Sequence, residues 1–169
     1  MSEKDTTASS VPTPAPSPME LVLQFHHTYS VPIRPFSDPT LDYERMNMRM
    51  SLIAEEFAEL MGAVYGPRAR AIIEAATAEA VAADEGERDV IEAADALADL
   101  VYVVYGMAIE SGMNLDSVLA EVQASNLSKL MPDGSVKLRE DGLKGPNFFQ
   151  PNIARGLGLE SHTDRGEAD

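Results

Sequence analysis

The chain has 169 residues and carries 28 acids against 13 bases, a formal net charge of −15 that would repel a nucleic-acid backbone and gives no general attraction to anionic lipid. It has no Cys, which removes disulfide frameworks and thiolate chemistry and leaves any zinc site to His and carboxylates. Hydrophobic residues at 44%, charged residues at 24% and aromatics at only 6%, with no Trp, fit one soluble domain rich in helix.

Residues 1–18, MSEKDTTASSVPTPAPSP, are rich in Pro, Ser and Thr and offer almost nothing to a core, so they read as a disordered arm. MELVLQFHHTYSV, at 19–31, has apolar residues at 21, 22, 25 and 29 and reads as a short helix, which the prolines of VPIRPFSDP then break. Asp38 or Thr40 is a candidate cap for a long helix through TLDYERMNMRMSLIAEEFAELMGAVYG, stopped by Gly66 and Pro67. The Ala-rich RARAIIEAATAEAVAADEGE reads as a second, peripheral helix ending near Gly86.

From Arg88 to Glu110 the chain is apolar almost all round, with Leu97, Leu100, Val101, Val103 and Val104 together. A helix of that kind is expected to be buried on every side. Gly112 and Asn114 end it, and a further helix is expected over about Leu115–Leu130. Turns are expected near Asp133-Gly134 and Asp141-Gly142, and the segment from about Ile153 reads as a loose polar tail. The expected architecture is all-α, four or five helices in a bundle, with the domain at 19–151 and a flexible tail at 152–169.

On the apolar helix, Glu92, Asp95, Asp99, Tyr102 and Gly106 draw one polar stripe at helical spacing. On the first long helix Glu56 and Glu59 are i, i+3, and Glu55 and Glu59 are i, i+4. Two such helices face to face would gather at least four carboxylates, whose mutual repulsion calls for cations, and all-oxygen ligands suit Mg²⁺ or Mn²⁺. The plainer reading of an EE pair is a solvated helix face. A di-iron bundle would need Glu-x-x-His pairs, and the sequence has none; its three His, His26, His27 and His162, show no helical metal-ligand spacing. No run approaches the ~18 apolar residues that span a bilayer, no signal pattern opens the chain, and the expected address is the cytoplasm.

The pattern E-x-x-E at Glu56 to Glu59 followed by E-x-x-D at Glu92 to Asp95 resembles the all-α nucleotide pyrophosphohydrolase superfamily, known as MazG-like. The words DALADLVYVVYG, ASNLSKL and DGLKGPNFFQP look like its dUTP-hydrolysing subgroup in bacteria such as deinococci, over about residues 20–151. The resemblance implies a helical bundle in homodimers or dimers of dimers, with sites completed between subunits. It implies Mg²⁺ held by Glu56, Glu59, Glu92 and Asp95, and cleavage of a nucleoside triphosphate to monophosphate and pyrophosphate. It also suggests Glu55 as the group that holds or deprotonates the attacking water. The charge pattern agrees, because acids repel a triphosphate unless divalent ions stand between them.

Lys129 and Lys144 are candidates to offset phosphate charge and Asn126 to offer an amide to sugar or phosphate, against the plainer readings of solvated lysines and a helix-end amide. Arg49, seven residues before Glu56, either touches phosphate or neutralises the acids. Tyr102 is a candidate wall over the sugar or an ordinary core tyrosine, and Asp99 is a further acid near the ions or a partner for a base. Phe25, His26 and His27 either border the base or serve the fold. The expected reaction is dUTP to dUMP and pyrophosphate. The alternatives are a house-cleaning hydrolase of other nucleotides, phosphoribosyl-ATP hydrolysis, and a non-catalytic acidic helical module.

Overall fold

The computed structural model describes residues 15–136 and 145–159. The regular elements among them are all helices: α1 (Pro18–Thr28), α2 (Met46–Tyr65), α3 (Pro67–Ala82), α4 (Val90–Glu110), α5 (Leu115–Leu127) and α6 (Ile153–Gly156). The all-α class expected from composition and periodicity is the one observed. The chain divides into two compact units, Arg34–Val103 and the described residues on either side of it, and the boundary falls within the length of α4.

In the Arg34–Val103 unit, α2 begins later than the capping signals suggest. The Thr40 hydroxyl accepts the Asp42 N–H at 3.0 Å, and the Met46 N–H donates to the Tyr43 carbonyl at 3.0 Å. A threonine that closes its own local turn is no longer available to cap a helix. The first helical residue is therefore Met46, behind Arg45, which makes no side-chain cap. The other end falls where expected, because Gly66 at φ 95° leaves the helical region and Pro67 opens α3 as its first residue.

α3 is the Ala-rich helix expected at this position, and none of its residues is buried. It packs on α2, and small residues on α2 permit the approach. Ala58 is 1% exposed, and Gly62, one turn on and on the same face, would carry a Cβ only 3.1 Å from the Cβ of Arg70. After α3, Arg88 grips Asp84 with two hydrogen bonds of 2.8 and 2.7 Å. Those bonds, helped by the Gly86 N–H, hold the Asp84 carboxyl down at about 2. Asp89 then caps α4, accepting the N–H groups of Ile91 and Glu92 at 3.0 Å each.

The expectation that α4 is buried on every side is overturned. Ile91 is 84% and Tyr102 81% exposed, Leu97, Leu100, Val101, Val103, Val104 and Met107 are exposed as well, and only Ala108 is buried. Helix packing among the described residues joins α2 to α3 and α5 to α1 and α6. The described residues of a single chain leave most of the α4 side chains uncovered.

In the other unit, Ser17 and Glu20 form a reciprocal capping box at the start of α1. α1 lies on α5, where Gln123 donates to Gln24 at 3.0 Å and the Tyr29 hydroxyl donates to the Asn126 carbonyl at 2.5 Å. Asn114 caps α5 through the Ser117 N–H, and α5 passes at Leu127 into turns that reach Leu130. The turn expected at Asp133-Gly134 is present, closed by Gly134 N–H to Met131 at 2.8 Å; the one expected at Asp141-Gly142 lies outside the described residues.

The tail expected to be loose from Ile153 starts instead as α6, docked on α5. Arg155 makes a two-pronged ion pair with Glu121, at 2.7 and 2.6 Å, and a Cβ on Gly156 would meet the Val118 Cα at 3.0 Å. Both contacts reach over thirty residues back along the chain, so local polarity gives no sign of them. Hydrogen bonds from Arg155 hold the Glu121 carboxyl below its ordinary 4.5. A carboxylate whose folded pKa is depressed stabilises the fold above its unfolded value and loses that contribution as pH falls through the folded one. The melting-temperature advantage of the wild type over Glu121→Gln should therefore be complete above about pH 5 and shrink steadily below about pH 4.

Candidate active site

α2 presents Glu55, Glu56 and Glu59, all exposed, and α4 presents Glu92, Asp95 and Asp99, also exposed, along the stripe that helical spacing dictates. Helicity thus makes two carboxylate pairs, Glu56 with Glu59 and Glu92 with Asp95. No group of three or more His, Cys, Asp or Glu able to hold a metal ion occurs among the described residues. The described part of the chain by itself presents two pairs and does not gather the four acids into one cage.

The donor chemistry of a pair still suits a hard divalent cation. Mg²⁺ keeps several waters and is commonly bound by one or two carboxylates together with substrate phosphates, so an i, i+3 carboxylate pair is sufficient foothold for it. Glu59 has a second neighbour that its own helix does not reveal. Arg70 sets a guanidinium nitrogen 3.2 Å from Glu59 Oε1 and another 2.7 Å from Glu74 Oε1. The bond to Glu74 first, and then the charges of Glu74, Glu59 and Glu55, hold the Arg70 guanidinium above its ordinary value. The i, i+4 spacing of Arg70 and Glu74 is visible in sequence, but its reach to Glu59 depends on the α2–α3 packing.

Arg49 is half-buried on α2, two turns before Glu56. Tyr102 is 81% exposed on α4, so among the described residues nothing faces it across a sugar-sized gap.

The remaining candidates lie in the other unit. Lys129 donates to the Asn126 side-chain oxygen at 2.8 Å, so the two share a face as their spacing requires. The serines between and beside them serve the fold. Ser125, 3% exposed, donates to the Phe149 carbonyl at 2.8 Å, and Ser128 donates to the Ser125 carbonyl at 2.7 Å while accepting the Phe149 N–H at 3.1 Å. Gly145 donates its N–H to the Lys129 carbonyl at 2.7 Å, and a Cβ there would fall 2.0 Å from the Leu130 carbonyl oxygen. The words ASNLSKL and GPNFF are therefore knit together, with the glycine demanded by backbone contact. Lys144 lies outside the described residues. Phe25 packs on Tyr29 with ring centroids 4.5 Å apart, and His26 Nδ1 lies 3.2 Å from the Pro32 carbonyl, a local contact at the end of α1.

Residues 22–126 match the phosphoribosyl-ATP pyrophosphohydrolase family, and the chain belongs to that family. A crystal structure of a provisionally assigned NTP pyrophosphohydrolase from Exiguobacterium sp. 255-15 is similar over 85% of this chain and 95% of that one, at 25% identity and a TM-score of 0.66. No curated protein matches the sequence. Family and fold together make this an all-α nucleotide pyrophosphohydrolase. Among the described residues no helix is long and apolar enough to cross a membrane.

Ser128→Ala should release the Phe149 amide. Its hydrogen exchange should accelerate about threefold to tenfold, as expected for losing one hydrogen bond of ~1 kcal/mol. The exchange of amides in α2 and α3 should not change.

Proposed function

We propose that the chain hydrolyses dUTP to dUMP and pyrophosphate in the cytoplasm, with Mg²⁺, or Mn²⁺ in its place, held by Glu56, Glu59, Glu92 and Asp95. The observation that carries this reading is the presence of two exposed i, i+3 carboxylate pairs, on α2 and α4, in a chain of the pyrophosphohydrolase family. A bound divalent ion supplies neutralisation of phosphate charge and a lowered pKa for water near it. Glu55, beside Glu56, is the protein group assigned to orient the attacking water and take its proton. Lys129, braced by Asn126, supplies positive charge for the triphosphate, and Arg49 and Lys144 are the further bases assigned to it. Asp99 and Tyr102 continue the α4 stripe towards the sugar, where a bulky ring would disfavour a 2′-hydroxyl.

The preference for dUTP is supported by the words ASNLSKL and GPNFF, which form one hydrogen-bonded unit through Ser125, Ser128 and Phe149. A second reading, phosphoribosyl-ATP as substrate, is favoured by the name of the matching family. That substrate carries an additional phosphate ester, which would call for another base. Pyrophosphate release from dUTP, dCTP, dTTP, ATP and phosphoribosyl-ATP separates the two. Release should be fastest with dUTP, and Glu92→Gln should lower it by about a hundredfold or more. Fastest release from phosphoribosyl-ATP would give the site to the second reading. No release from any of them would leave an acidic binding module.

The exposed apolar α4 supports a homodimer or a dimer of dimers, because covering half-exposed side chains such as Leu97, Leu100, Val101 and Val104 would gain roughly 1 kcal/mol each. Sedimentation velocity should give at least twice the 18.3 kDa chain mass. Val101→Glu should shift it towards the monomer.

A further inference from the structure

The acids of α2 already have a cation beside them, and the protein itself supplies it. Arg70 spans two carboxylates, Glu59 at 3.2 Å and Glu74 at 2.7 Å. One is assigned to a metal ion and the other has no such task. The reach to Glu59 depends on Gly62, where an added Cβ would stand 3.1 Å from the Arg70 Cβ and 3.6 Å from its Cδ. The arginine stem lies along bare α2 backbone, and its head arrives at Glu59, just under one turn earlier on the same helix.

We infer that Arg70 is a positioning residue that holds Glu59 as a placeholder cation, yields it to an incoming divalent ion, and stays anchored meanwhile through Glu74. The inference rests on the metal-binding reading of Glu59 given above. Three physical points support it. Glu55, Glu56 and Glu59 crowd three negative charges onto adjacent positions of one helix, and a guanidinium beside them relieves the repulsion. A guanidinium and a divalent ion cannot both lie against Glu59 without repelling each other, so they compete for it. The side chains of Arg70 and Glu59 are 42% and 50% exposed, and an ion pair so open to water is weak enough to be exchanged. The shorter contact is the one to Glu74, which gives the displaced guanidinium a partner without any large movement.

This predicts opposite signs for two neighbouring substitutions. Arg70→Gln removes the competitor, so it should tighten metal binding. Glu74→Gln leaves Arg70 with Glu59 alone, so it should weaken it. Arg68→Gln makes the same charge change two residues away at an exposed position and serves as the control for the general field.

The test is Mn²⁺ binding to the full-length chain without nucleotide, read by calorimetry or by the electron-spin resonance of the free ion. Melting temperatures in the absence of metal monitor the fold of each variant. Arg70→Gln should bind about two- to fivefold more tightly than wild type, Glu74→Gln more weakly by a similar factor, and Arg68→Gln within about 1.5-fold of wild type. Gly62→Ala, which pushes the arginine stem away while retaining its charge, should follow Arg70→Gln in direction and stands in for it should that variant fail to fold. Unchanged or weaker binding in Arg70→Gln, or equal tightening in Arg68→Gln, overturns the inference while leaving the metal reading in place. If the wild type binds no Mn²⁺, or Glu59→Gln binds it as well as wild type, the metal reading of Glu59 falls and the inference falls with it.

Discussion

Repulsion between carboxylates is the constraint around which this chain is arranged. Three glutamates share adjacent positions of α2 and three acids share a stripe of α4, in a chain of net charge −15. Each of these acids has a cheap alternative, which is to be a different residue. Their concentration at i, i+3 spacing on two helices is compatible with a fold only because the side chains remain in water, where charge is well solvated, or because positive charge comes to them. Arg70 is a protein cation set against this group, paired with Glu59 as well as with Glu74. Under the proposed function, hydrated divalent ions and a triphosphate would supply the rest, since acids and phosphates repel each other unless such ions stand between them.

The second constraint is apolar. α4 carries a nearly unbroken run of Leu, Val, Met and Ile, yet its side chains stand exposed. A helix that is apolar all round makes sense as an interior element, and an interior can belong to an assembly as well as to a chain. The same helix carries Glu92, Asp95 and Asp99. Burying its apolar faces against another subunit would also bring the acids into a setting less wet than the isolated chain provides. In the proposed assembly, charge and packing would be linked through one helix.

What the sequence disclosed divides by the range of the interaction responsible. Helix content, the stop at Gly66-Pro67, the turn at Asp133-Gly134 and the pairing of acids on helix faces are local, and each could be read from spacing or from a single breaker residue. Thr40 misled because a side chain that can cap a helix can equally close a turn, and the choice depends on the backbone of the next few residues. The helicity of α3 follows from its Ala-rich sequence, whereas nothing in that sequence announces Gly62 as its landing place. α6 was hidden in a polar tail because its anchor, Glu121, is remote in sequence. Ser125, Ser128 and Gly145 were legible only as part of a familiar set of words; the hydrogen bonds to Phe149 and Lys129 explain why those words go together. The burial expected of α4 rests on composition alone, and composition does not say which surfaces the rest of the chain covers.

The central claim is that acidic helices cut a triphosphate between its α- and β-phosphates by way of divalent ions. Following dUTP by phosphorus NMR in chelator-treated protein, before and after Mg²⁺ is added, tests it most directly. The account predicts no change before addition, and afterwards signals of dUMP and pyrophosphate rising together in equal amounts. Equal turnover in the presence of excess chelator, or the appearance of dUDP and orthophosphate instead, would contradict it.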